Sequence, residues 1–68
     1  MHRLVVSVGG TETVFRTEME QGEFRCSVDN VNMGNERVIG FMDDEGAFVY
    51  VNPANVSYMR FEGWDDRR

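Results

Sequence analysis

The chain has 68 residues, with seven Arg, no Lys, twelve Asp plus Glu and a net charge of −5. That length holds one small domain, and no apolar run reaches the roughly 18 residues of a membrane span. A single cysteine, Cys26, excludes an internal disulfide framework and the multi-cysteine zinc patterns. The acidic balance argues against a generic binder of phosphate backbones, whose affinity comes from neutralising phosphates with Lys and Arg.

Ten Val and five Phe stand against one Leu, one Ile and two Ala. β-Branched and aromatic side chains fit a pleated, half-buried surface, whereas helices favour Leu, Ala, Lys and Glu. The opening Met1–Val6 stretch is too short in apolar length for a signal peptide. Together with the lone cysteine, this makes a reducing cytoplasm the expected compartment.

In chain order, Leu4, Val6 and Val8 alternate with Arg3, Val5 and Ser7, which predicts a strand. Gly9-Gly10 is a two-residue hairpin signal, since both residues can take positive φ. Thr11 to Met19 reads as the return strand. A short helix competes there, with Phe15 and Met19 one turn apart and Glu12 and Arg16 at i, i+4. Gln21-Gly22 gives the next turn. Phe24, Cys26 and Val28 then alternate with Glu23, Arg25 and Ser27 as a half-buried strand, and Asp29 to Asn35 reads as a loop.

Arg37 to Met42 is a strand interrupted by Gly40, a residue that often marks a bulge or bend. Asp43 to Gly46 is a tight acidic turn. Ala47 to Val51 is apolar on both faces and is expected at the centre of a sheet. Asn52-Pro53-Ala54-Asn55 breaks it with one 3₁₀ turn, and Val56 to Phe61 forms the last strand. Residues 1–62 are expected to form the domain, and 63–68 a charged tail carrying Trp64. These elements predict an all-β fold, a five- or six-stranded antiparallel meander that closes into an SH3-like or Sm-like barrel, or a curled sheet. The expected core is Leu4, Val6, Val8, Phe15, Phe24, Cys26, Val28, Val38, Phe41, Val49, Val51, Val56 and Met59.

The chemistry-bearing residues are few. Asp43, Asp44 and Glu45 lack the alternate spacing of a calcium loop and read as a solvated turn. Cys26 has no base near it in sequence, and the one histidine is His2. No paired acid and base, nucleophile with its base, or phosphate-binding glycine loop is present, so no enzyme, metal or cofactor is expected. Asn55-Val56-Ser57 matches a glycosylation pattern that an unexported chain does not use. Arg16, Arg25, Arg37 and Arg60 could contact nucleic acid as a stripe beside stacking aromatics. Their acidic neighbours favour cross-strand charge pairing instead.

Trp64 either folds back to cover one end of the barrel or docks into a neighbouring chain or partner; with Phe61 and Tyr58 it is the candidate protein interface, because one aromatic among charges suits a hot-spot contact. A chain this short buries only about 60% of its unfolded surface. The expectation is therefore a non-enzymatic protein-interaction module that forms a homo-oligomer or meets a protein partner. A single-stranded nucleic-acid binder is the alternative.

Gly46 to Met59 resembles a strand–Asn-Pro–strand segment of small β-proteins of the flagellar and swarming-motility type, and of some phage and plasmid accessory proteins. The resemblance covers 14 residues and implies a small β-protein; it carries over no function and no site residue.

Overall fold

The structure, a computed structural model, describes residues 1–63. Five strands and one helix follow in the order β1 (His2–Val8), β2 (Thr11–Thr17), α1 (Gln21–Asn32), β3 (Ile39–Met42), β4 (Phe48–Val51) and β5 (Tyr58–Gly63). A 3₁₀ turn at Pro53–Asn55 separates β4 from β5. The strands form two antiparallel sheets, one ordered β2-β1-β5 and one a β3-β4 hairpin.

The β1-β2 hairpin forms where the glycines place it. Gly9 and Gly10 take φ of 57° and 86°, the twist that a two-residue turn needs. Thr11 to Thr17 is a strand, with Leu4 opposite Phe15 and Val6 opposite Thr13. β5 pairs with the other edge of β1, placing Phe61 opposite Leu4 and Met59 opposite Val6. β5 runs through Gly63, one residue into the stretch expected as a tail.

The all-β expectation is overturned by α1. Phe24 and Val28 satisfy both a period of two and a helical i, i+4 spacing, so alternation alone misleads here. The helix ends decide it. At its N-terminus Glu23 accepts the Glu20 N–H at 2.8 Å, part of a capping box. Gly22 falls in the first turn, where a helix tolerates it. At its C-terminus the Gly34 N–H reaches the Val31 carbonyl at 3.1 Å and the Asn35 N–H reaches that of Asn30 at 2.9 Å. Those two bonds make a Schellman motif, and Gly34 at φ 84° supplies its left-handed residue. Asp29 to Asn32, expected as loop, is therefore the last helical turn.

The two sheets face each other over Leu4, Val6, Phe41 and Val51. Phe15, Met19, Phe24, Val49, Val56, Met59 and Phe61 pack around these four. Phe15 meets Phe41 edge-on at 5.6 Å, and Phe24 stacks on Phe61 at 4.9 Å, which ties α1 to β5. Ile39, 1% exposed, is buried where α1 meets β3. The core list needs five changes. Val5 and Ile39 are buried, whereas Val8 and Cys26 lie exposed. Val38 is also exposed, since the register of β3 turns its odd-numbered residues inward.

Between the sheets runs one isolated backbone bridge, Thr17 to Asp43. Thr17 is 1% exposed; its hydroxyl donates to the Met42 carbonyl at 2.9 Å and accepts the Met19 N–H at 3.0 Å. The sheets thus meet at a corner and do not close. The expected barrel is corrected to an α+β fold with two open sheets. The physical reason is the helix: it takes the residues of one expected strand, and β4 is left without a second neighbour among the described residues.

Candidate protein interface

β3 and β4 alternate their side chains cleanly. Ile39, Phe41, Val49 and Val51 point into the core. Gly40, Met42, Phe48 and Tyr50 then share the outer face, with Gly40 opposite Tyr50 and Met42 opposite Phe48. Nothing packs on that face among the described residues: Met42 and Phe48 are 55% exposed and Tyr50 67%. The strand expected at the centre of a sheet, Ala47 to Val51, is instead an edge strand with an apolar outer face.

Gly40 has a specific role on that face and makes no bulge, because the pairing runs through it without interruption. Phe48 and Tyr50 meet edge-to-face at 5.0 Å and lie down over the glycine. A Cβ there would come within 3.2 Å of the Tyr50 ring and 3.3 Å of the Phe48 ring. The glycine therefore seats the two rings together as one contiguous apolar surface.

The turn joining the strands is held by Asp43. Its carboxylate accepts the Glu45 N–H at 2.9 Å and the Ala47 N–H at 2.8 Å, with Gly46 at φ 86°. Asp43 is thus engaged by the backbone, and Asp44 reaches Arg16 at 3.9 Å. At the far end of β4, the Asn52 side chain accepts the Ala54 N–H at 3.1 Å and starts the 3₁₀ turn.

The outer face of the three-stranded sheet is different in kind. Arg60 of β5 donates to Glu62 at 2.7 Å and approaches Glu12 of β2 at 3.6 Å, and Arg3 pairs with Glu62 at 2.7 Å. The Tyr58 hydroxyl donates to Glu12. Glu12 and Tyr58 both lie opposite Ser7 of the central strand, so their contact roofs it and Ser7 is buried. The hydrogen bond from Arg60, with the nearby positive charge of Arg3, holds the Glu62 carboxyl below its ordinary range. The same bond to Glu62 holds the Arg60 guanidinium above its own.

The residues singled out in the sequence fall in separate places. Trp64 lies outside the described residues. Phe61 is half-buried, stacked between Phe24 and His2. Tyr58 is exposed on the charged face, with Arg60 over its ring at 5.8 Å. Arg16 and Arg60 stand on that same face, Arg25 is on α1, and Arg37 is in the loop before β3. The four arginines do not share one strand face, because α1 and the loop remove two of them. The apolar face of Met42, Phe48 and Tyr50 was missed. Its signal is present in the sequence: a strand apolar on both sides needs a packed layer over each face, and here only the inner face has one among the described residues.

Among the described residues, no helix is long and apolar enough to cross a membrane. Compared with known protein families and with curated proteins, the chain matches none of them.

Proposed function

We propose that this chain is a non-enzymatic protein-interaction module and that it docks through the outer face of the β3-β4 hairpin. One observation carries the reading: Met42, Phe48 and Tyr50 form a contiguous exposed apolar surface, with both rings seated against Gly40. Large apolar side chains grouped this way on a small protein mark interaction sites. Aromatic residues with low side-chain entropy are the usual binding anchors. The exposed thiol of Cys26 suits a reducing compartment, the cytoplasm.

The nucleic-acid reading has weaker support. Arg60 is engaged with Glu62 and Glu12, Arg16 has Asp44 within 3.9 Å, and the whole chain carries −5.

The test places a photoreactive phenylalanine derivative at position 50, and separately at exposed position 36, in the cells that make the protein. The expected result is a discrete protein adduct from position 50 alone. Excess wild-type protein competes it away and the Phe48→Ser variant does not. The same adducts from both positions, or none, refute the reading.

A further inference from the structure

We propose that the free edge of β4 is a self-pairing site, at which a second copy of this chain adds its own β4 antiparallel about a two-fold axis. The inference rests on the interaction-module reading and adds the edge of the same hairpin to its outer face.

The edge is open in a specific way. The Asp43 N–H bonds the Ala47 carbonyl at 2.8 Å, and the Met42 carbonyl turns away from β4 to accept the Thr17 hydroxyl. Antiparallel alternation then directs the backbone groups of Val49 and Val51 toward β3, and those of Phe48 and Tyr50 outward. Sheet order places no strand beyond β4 among the described residues.

The other strand edges are protected. β2 carries Glu12 and Arg16, and β5 carries Arg60 and Glu62. Charged side chains are the usual guard against edge pairing. β3 has none, but Thr17 and α1 cover its far side. β4, Phe-Val-Tyr-Val, has no charge, no proline and, among the described residues, no strand on its outer edge.

An open groove runs along the same edge. It is lined by Val8, Thr13, Phe15, Val49, Tyr50 and Val56, among others, and no charged residue lines it. This groove explains why Val8, expected in the core, is 49% exposed.

A strand that adds here must be uncharged on both faces and must offer apolar residues to the groove. β4 itself is the described strand that meets both conditions and is free to do so. Pairing centred on Val49 puts Phe48 opposite the second copy's Tyr50, and Tyr50 opposite its Phe48. All outward backbone groups of the two residues are then used, in four hydrogen bonds. The apolar outer faces join into one surface, while the second copy's Val49 and Ala47, opposite Val49 and Val51, face the groove. In this register Asp44 and Glu45 of each copy lie beside the uncharged Pro53 and Ala54 of the other, so the acidic turns do not meet.

The experiment uses the whole chain. Sedimentation equilibrium is run on wild type and on Tyr50→Lys, which places a charge on the edge at an exposed position. In a Cys26→Ser background, Val49→Cys is compared with Val38→Cys under mild oxidation. A non-hydrogen-bonded pair about 4.5 Å apart at Cα accepts a disulfide. The expected results are a dimer for wild type, a Kd raised at least about tenfold by Tyr50→Lys, and disulfide-linked dimer from position 49 and not from position 38. A wild type that stays monomeric to sub-millimolar concentration overturns self-pairing. So does a dimer indifferent to Tyr50→Lys, or a position 49 that links no better than position 38. A monomer whose position-50 photoadduct still forms in cells sinks self-pairing alone and leaves the interaction reading standing.

Discussion

Replacing Thr17 by valine removes one oxygen atom from the corner where the two sheets meet. Shape is kept and strand propensity is not reduced, so simple hydrophobic reasoning expects a neutral or stabilising change. The structure gives the opposite sign. The Thr17 hydroxyl satisfies two backbone groups, the Met42 carbonyl and the Met19 N–H, and the residue is 1% exposed. A typical hydrogen bond contributes about 1 kcal/mol, and a buried group left unsatisfied costs about 1–3 kcal/mol. Two bonds lost at a part-buried corner therefore amount to about 2 kcal/mol. A domain of this size has a total stability of about 3–10 kcal/mol at 0.05–0.15 kcal/mol per residue. With a urea slope of about 1 kcal/mol/M for a small protein, the midpoint falls by about 2 M. Thr17→Ser is the discriminating control. It keeps the hydroxyl and loses a methyl, at about 1 kcal/mol. Urea unfolding followed by far-ultraviolet circular dichroism should rank wild type above Thr17→Ser and Thr17→Val last. Thr17→Val within about 0.5 kcal/mol of wild type, or above Thr17→Ser, refutes the hydroxyl as the joint between the sheets.

Four further outcomes follow from the same geometry. Phe41→Ala removes a ring that is 4% exposed and should cost about 3–5 kcal/mol, while Phe48→Ala on the exposed face should stay within about 0.5 kcal/mol; paired urea melts compare them. Gly34→Ala forces a side chain into φ 84° at the helix end and should destabilise by about 1 kcal/mol, visible as an earlier loss of helical ellipticity on heating. Glu62 has its folded pKa lowered chiefly by the bond from Arg60, so its contribution is present above the unfolded carboxylate value of about 4.3 and fades as pH falls through the folded value. Urea midpoints of wild type and Glu62→Gln should accordingly differ at neutral pH and converge in acid, and parallel curves would contradict this. Filter binding at low salt should retain no single-stranded oligonucleotide at micromolar protein; retention would revive the nucleic-acid reading.

Most strands were legible because their signals were local and redundant. The Gly9-Gly10 turn, the alternation in Leu4-Val5-Val6 and the Asn52-Pro53 break each have one good backbone solution. The helix was not legible from periodicity, since Phe24 and Val28 fit either period. Its end signals, Glu20 with Glu23 and Gly34 after Met33, were in the sequence and outweigh the alternation of Cys26. That one substitution of element type propagates. It exposes Cys26, removes a strand, leaves the barrel open and strips β4 of a neighbour. The candidate interface is thus a non-local consequence that no single segment announces. Val5 and Ser7 were hidden for a related reason. Their burial, at 2% and 4% exposed, lies under the charged side chains of two flanking strands that are far apart in sequence.

The central place of β1 has a consequence for synthesis. His2 pairs with Gly63 and Ser7 with Tyr58, so the strand made first completes its pairing with the strand made last of those described. At about 5–20 residues per second, Val8 and Tyr58 leave the ribosome's catalytic centre several seconds apart. During that interval Leu4-Val5-Val6 has only β2 beside it, and one side of the most buried strand stands unpaired. The nascent chain is therefore at its most aggregation-prone before β5 arrives.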